Sequence, residues 1–260
     1  MSIIINFDIN CNNILNNYFK IINKDYLKYY VNNDSIIHIN LLHNQELYYY
    51  FIEMVHKATE IINNSGSIRR INNNGLYELL EIFESKYEWN FCIYDNMIFN
   101  LPFTLDKVIF LPLRYIKDSY ASKDNKKFIC TLVHEKMHIY QRKNINKWIN
   151  YIKKLDNKWI IINKNNKIYN LLNDQKILEK FNLPIIINPD TTYNFKYVYK
   201  KDNNYYYGVF ILDNNNLKKV WLKIDLANNK LIRVEEDIQE QEHPFELYVY
   251  KFSDLLVKRN

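Results

Sequence analysis

Glycine, proline and cysteine are scarce in this chain. Its 260 residues include 3 Gly, 5 Pro and 3 Cys, against 23 Tyr. Cys11, Cys92 and Cys130 are far apart, odd in number and free of CxxC pairs. This spacing predicts free thiols that pack as small core residues, in a protein of a reducing compartment.

The chain also lacks long apolar runs. No stretch reaches the roughly 18 apolar residues that a membrane-spanning helix requires. The apolar run in MSIIINFDIN is short and soon followed by polar residues, which does not predict a signal peptide. We therefore expect a protein that is not secreted and that lies in the cytoplasm or inside a particle assembled there.

The positive charge shows no clustering. The 35 Lys and Arg against 29 Asp and Glu give a formal net charge of +6, but the lysines are scattered along the sequence. A nucleic-acid-binding surface needs basic residues grouped on one face, so we expect no specific nucleic-acid partner. With 48% hydrophobic residues the chain should fold. The preference for Asn, Ile, Lys and Tyr is typical of an AT-rich coding genome.

The first third of the sequence is predicted to be mostly helical. Apolar residues recur at helical spacing in residues 12–32, in residues 45–63 and after Gly75. Three histidines of this part have no partner at the spacing of metal ligands, which predicts ordinary packed or surface residues: His38, His43 and His56.

The period of the apolar residues changes after residue 88. Residues 89–95 and 107–113 are rich in β-branched and aromatic residues and predict two strands, with a loop around Leu101-Pro102-Phe103 between them. Pro112 cannot donate to a strand ladder, so the second strand should end there or lie at a sheet edge. We divide the chain into a mostly helical segment, residues 1–88, and a second domain, residues 89–260.

An antiparallel β-meander is predicted within the second part. Residues 148–159 favour a helix, and Pro184 and Pro189 mark a loop after it. Four strand-like runs then fill residues 192–235, separated by KDNN, DNNN and LANN. Asn and Asp tolerate the positive backbone angles of tight turns. A last helix begins near Pro244, and the predicted fold class is α+β.

The segment TLVHEKMHIYQR, residues 131–142, contains an HExxH motif. His134 and His138 are four residues apart, so on a helix their rings share one face and can bind one ion. Three protein ligands would leave zinc with a water whose pKa falls to about 7, and Glu135 could accept the proton of that zinc-bound water. An HExxH arises by chance in roughly one such chain in a hundred. Apolar residues around the motif, and Ser122 or Asp124 as the N-cap, also favour a helix.

The motif resembles that of the zincin superfamily of zinc metallopeptidases, which carry HExxH on an active-site helix beside a sheet. Together with EHPFE, residues 242–246, it also looks similar to uncharacterised metallopeptidase-like proteins of large DNA viruses. The resemblance implies a zincin-like domain with the β-meander as an insertion at about 192–235. It also implies bound Zn²⁺ and, for a viral protein, packaging in a virion.

The third zinc ligand must come from elsewhere in the chain. The metzincin extension HExxHxxGxxH is absent, because Gln141, Arg142 and Asn144 follow the motif. Resemblance to the glutamate-ligand branch, the gluzincins, favours a carboxylate on a second helix, although the NExxSD pattern of that branch is missing. Glu246 fits, since Pro244 suits the first turn of a helix.

His243 is the alternative ligand, or a hydrogen-bond donor to the developing oxyanion, which would make it catalytic together with Glu135. The acidic run before it predicts a solvated loop, or a cleft rim that favours basic substrates: Glu235, Glu236, Asp237, Glu240 and Glu242.

We expect a zinc metallopeptidase, an endopeptidase that hydrolyses peptide bonds with Glu135 as the base. A protein or peptide substrate would lie extended against an edge strand near residues 108–111. The alternative is a catalytically silent structural or interaction protein with the same fold, such as a virion component. The intact Glu135 favours the enzyme, because a scaffold has no need of a base.

Overall fold

The computed structural model describes residues 3–7, 9–22, 39–64, 88–95, 101–173, 185–186, 195–213, 216–238 and 243–259. These residues form a mixed α+β protein, as predicted. The chain divides into two compact units, Met1–Lys143 with Val249–Asn260, and Asn144–Tyr248. The domain boundary after residue 88 stays a prediction.

The first unit contains a four-stranded sheet in the order β1-β2-β4-β3. Its strands are β1 Ile4–Asn6, β2 Glu88–Tyr94, β3 Phe103–Leu105 and β4 Val108–Pro112. β2 is parallel to β1 and β4, whereas β3 pairs antiparallel to β4. All of β4, and β2 from its second residue onward, are buried, which explains why both read as nearly continuous apolar runs in the sequence.

Two expectations about this sheet are wrong. Phe103 was expected in a loop, but it begins strand β3 and pairs with Phe110 of β4. Three residues are too few to show an alternating pattern in the sequence, so only this pairing makes them a strand. β4 was expected at a sheet edge as the place for substrate, but it lies between β2 and β3, so β3 is the outer strand. β4 does end at Pro112, as the missing backbone donor predicts.

The helices of the first unit follow the apolar periodicity. They are α1 Cys11–Ile22, α2 Gln45–Asn64, α3 Leu113–Ser122 and α4 Asn125–Lys143, together with most of α7 Pro244–Arg259. The predicted helices at 45–63 and near Pro244 are confirmed, and the first helix is confirmed up to Ile22. The rest of that helix, the helix after Gly75 and His38 lie outside the described residues.

A disulfide joins Cys11 and Cys92, which corrects the prediction that all three cysteines are free thiols. Cys11 begins α1 and Cys92 lies in β2, and their Cα atoms are 5.9 Å apart, within the range that a disulfide bridges. The sequence hides this pair because 81 residues separate the partners. Cys130 is a free, half-buried thiol.

The second unit contains a six-stranded sheet in which five strands follow the order β10-β9-β8-β7-β5, with β6 paired to β8. The strands are β5 Trp159–Asn163, β6 Ile185–Ile186, β7 Phe195–Lys201, β8 Asn204–Asp213, β9 Asn216–Asp225 and β10 Lys230–Val234. The predicted meander is therefore confirmed. Positive φ angles at Asp202, Asn203 and Asn229 show why its turns are rich in Asn and Asp.

Two helices, α5 Ile145–Leu155 and α6 Lys167–Asn173, also belong to this unit. α6 contributes Leu171 and Leu172 to an apolar cluster with Val198, Val209 and other sheet residues. The helix predicted over 148–159 is too long, because Trp159 starts β5 and pairs with Tyr199 of β7. Of the loop around Pro184 and Pro189, only residues 185–186 are described, and they form β6. Among the described helices, none has an apolar stretch long enough to cross a membrane.

Candidate metal centre

The HExxH motif lies in the second half of helix α4. The Oδ1 atom of Asp124 accepts a hydrogen bond from the backbone N–H of Lys127 at 3.1 Å, so Asp124 caps the helix as the sequence suggested. The apolar residues around the motif are buried: Phe128, Ile129, Leu132, Val133 and Met137. Because this packing also buries both histidines, their rings are held inside the protein rather than on a surface face of the helix.

The two imidazoles converge on one point. The Nε2 atoms of His134 and His138 are 3.0 Å apart, and the ring planes are inclined by 79°. Two imidazoles on one tetrahedral zinc ion, with Zn–N bonds of 2.0–2.1 Å, have their nitrogens about 3.3 Å apart. The observed separation is therefore close to that of two ligands of one ion.

Glu135 is buried, and its charge acts on Tyr94, the last residue of strand β2. The side chain of Glu135 is 3% exposed. Burial, and secondly the charge of Glu135, hold the pKa of the Tyr94 hydroxyl well above its ordinary value. That hydroxyl therefore stays protonated, and it donates a hydrogen bond to the carbonyl oxygen of Leu101 at 2.6 Å. Tyr94 thus lies close to Glu135 and fixes the chain just before the outer strand β3.

Helix α7 begins at Pro244, with His243 as its cap. The backbone N–H of Glu246 points to the Nδ1 atom of His243 at 3.4 Å, a long hydrogen bond that occupies the position of an N-cap. Glu246 is in the first turn of the helix and only 6% exposed. The backbone of a helical turn therefore fixes the direction in which the Glu246 side chain leaves the backbone.

The contacts between α4 and α7 run in opposite directions along the two helices: later residues of α4 meet earlier residues of α7. Burial raises the pKa of the Cys130 thiol, and a hydrogen bond with Ser253 opposes that rise, so Ser253 of α7 lies near Cys130 of α4. One turn further along α4, the ring of His134 lies 4.4 Å from that of Tyr250. His138 lies one turn after His134, and Glu246 lies one turn before Tyr250. The same register therefore places His138 opposite Glu246.

The donor atoms of His134, His138 and Glu246 lie within 4.8 Å of one another, and all three side chains are buried. Two imidazoles and one carboxylate form a donor set that catalytic zinc sites use. A buried carboxylate next to two imidazoles also favours a cation electrostatically. The group could therefore hold a metal ion, and these are the three residues that the sequence assigned to zinc.

The other candidate residues have different surroundings. His243 is buried and is not part of this group of donors. The described acidic residues of the run are exposed and form ion pairs with basic side chains, which fits a solvated segment: Glu235 with Arg233, Glu236 with Lys201 and Asp237 with Lys219. Glu240 and Glu242 lie outside the described residues, whereas His43 and His56 are exposed.

Sequence reasoning missed three residues of this region. Gln141 shares a hydrogen bond with His138, Tyr250 packs on His134, and Tyr94 interacts electrostatically with Glu135. Gln141 could have been found, because it follows His138 by three residues on the same helix. Tyr94 and Tyr250 are far away in the sequence and left no such signal.

No family model, no curated protein and no solved structure matches this chain. The zincin resemblance therefore depends on the HExxH segment and on the clustered His-His-Glu donors.

Proposed function

We propose that this protein is a zinc-dependent metallopeptidase. The observation that carries the proposal is the buried group of His134, His138 and Glu246, whose donor atoms lie within 4.8 Å of one another. Glu135 directly follows His134 in the sequence and adds a buried carboxylate. A metal-binding group with a neighbouring base is the minimum machinery of hydrolysis.

The proposed roles follow from the donor set. His134, His138 and Glu246 would hold a zinc ion, which would supply a Lewis acid for the scissile carbonyl and for the attacking water. Glu135 would accept the proton of the attacking water and deliver it to the leaving amine. His243 could donate a hydrogen bond to the developing oxyanion from Nε2, since a hydrogen bond accepted at Nδ1 leaves the ring proton on Nε2.

The substrate is proposed to lie along β3, which replaces the strand expected from the sequence. β3 pairs with β4 on one side only among the described strands. An extended peptide could add to its other side by backbone hydrogen bonds. Arg142 connects this strand to the metal-binding helix, because its guanidinium donates to the Thr104 hydroxyl and to the carbonyl oxygen of Asp106.

Metal content and peptide cleavage test the proposal on one set of variants. The purified wild-type protein should contain about one zinc per chain by elemental analysis, and should cleave members of a fluorogenic peptide library. His134→Ala and Glu246→Gln should lose most of the zinc. Glu135→Gln should keep the zinc and lose about 10²- to 10⁴-fold in rate, because an amide cannot accept the proton.

Glu60→Gln is the matched control, since Glu60 is an exposed residue of α2 that should change neither readout. A wild-type protein that binds no zinc would overturn the proposal. Full zinc occupancy without cleavage of any peptide would instead favour a catalytically silent structural protein. If Glu135→Gln retains most of the native rate, Glu135 is not the base.

A further inference from the structure

We propose that Gln141 is the positioning residue that fixes the ring proton of His138 on Nδ1 and so keeps Nε2 available for a metal. The inference rests on the proposed function in taking His138 as a ligand. It adds a residue that belongs neither to the metal-binding group nor to the proton-transfer step.

The geometry places the Gln141 amide directly behind the imidazole. Gln141 follows His138 by three residues, so both lie on the same face of α4. The Oε1 atom of Gln141 is 2.8 Å from Nδ1 of His138, and the glutamine side chain is fully buried. The other ring nitrogen, Nε2, is the atom that lies 3.0 Å from Nε2 of His134. One nitrogen of His138 thus faces the amide and the other faces the second histidine.

A hydrogen bond to the amide oxygen determines where the proton is. An oxygen atom only accepts, so Nδ1 must carry the proton and Nε2 keeps its lone pair. If the amide were reversed, its NH₂ group would donate to Nδ1, and the proton of the neutral ring would move to Nε2. That form cannot bind a metal through Nε2, so only the first orientation is compatible with a ligand role for His138.

The choice of an amide also has an electrostatic reason. Glu135 and Glu246 already place two buried carboxylates in this region. A carboxylate at position 141 would add a further group whose charge is costly to bury, whereas the amide oxygen accepts the same hydrogen bond while remaining neutral. Glutamine at this position therefore orients the ligand without changing the charge of the site.

Two substitutions separate orientation from packing. Gln141→Met keeps a long side chain of similar size and removes the strong acceptor. Gln141→Glu keeps an acceptor at the same reach, in the carboxylate form found behind many metal-binding histidines. Lys126→Met is the matched control, because Lys126 is an exposed residue of the same helix, two turns before His134.

The experiment measures zinc affinity by competition with a fluorescent chelator, and the tautomer of His138 by nitrogen NMR of the metal-free protein. We expect Gln141→Met to bind zinc about 10- to 100-fold more weakly than wild type, with Gln141→Glu within about threefold of wild type or tighter. Lys126→Met should match wild type, and wild-type His138 should carry its proton on Nδ1.

Several outcomes would overturn the inference. Unchanged affinity in Gln141→Met, or equal losses in Gln141→Met and Gln141→Glu, would leave Gln141 with a packing role only. A wild-type His138 protonated on Nε2 would contradict the orientation, whether or not zinc binds. A wild-type protein with no zinc affinity would overturn the proposed function itself. Wild-type zinc affinity in all variants would overturn only the role of Gln141.

Discussion

Removal of the disulfide between Cys11 and Cys92 should destabilise the protein strongly. In the chain-entropy model, closing a loop lowers the entropy of the unfolded state by about 2.1 + 1.5R ln n cal/mol/K. With the 81-residue separation of the two cysteines, the loss is about 15 cal/mol/K, or about 4.5 kcal/mol at 25 °C. We expect Cys11→Ala/Cys92→Ala to lower the free energy of unfolding by about 2 to 4.5 kcal/mol.

The assay is urea unfolding followed by tryptophan fluorescence, with and without reductant. Trp89 lies in β2, three residues before Cys92, and reports on the strand that the disulfide holds. Reductant should lower the wild-type midpoint to that of the double variant and leave the double variant unchanged. Cys130→Ala is the control, because Cys130 is a free thiol, and this variant should respond to reductant as the wild type does.

The number of reactive thiols shows whether Cys11 and Cys92 form a disulfide. Wild-type protein unfolded without reductant should show one reactive thiol, from Cys130. Three reactive thiols, together with a midpoint that does not respond to reductant, would refute the disulfide. That result would restore the free thiols expected from the sequence.

Two further predictions concern helix α4. Burial lowers the pKa of Lys136 to about 8. The unfolded chain therefore binds more protons than the folded chain between about pH 8 and 10.5, and the contribution of this residue to stability rises with pH across that window. In Lys136→Met the free energy of unfolding should rise less steeply with pH than in the wild type. If urea unfolding from pH 8 to 10 gives the same slope of this free energy against pH for both proteins, the prediction is wrong. Asp124→Ala removes the helix cap and should cost about 1 kcal/mol by urea unfolding. Asp118→Ala, at an exposed i,i+4 pair, should cost less than about 0.5 kcal/mol, and equal losses would contradict the cap.

The parts of the fold that local patterns determine were predictable. Helix α2 shows an apolar stripe along its whole length, and the meander turns contain the Asn and Asp residues that positive φ angles favour. Strand β3 was missed because three residues carry no measurable period, and only pairing with β4 makes them a strand. Trp159 was assigned to a helix for a similar reason, since its partner Tyr199 is 40 residues further along the chain.

The candidate site divides along the same line. His134 and His138 are one helical turn apart, so the sequence alone brings their rings together. The pairing of Cys11 with Cys92 and the approach of Tyr94 to Glu135 depend on how β2 packs against distant elements. Such approaches are properties of the folded chain, and no residue spacing encodes them.

The third donor shows how one helix can bridge a long separation in the sequence. Glu246 follows His138 by more than one hundred residues, most of which form the second unit. Two contacts nevertheless determine the register of α7 against α4, Ser253 with Cys130 and Tyr250 with His134. Since helix geometry fixes the next step, the side chain one turn before Tyr250 approaches the side chain one turn after His134. The choice of Glu246 therefore depends on those two packing contacts and on an unbroken helix between Glu246 and Ser253, and not on the length of the chain that intervenes.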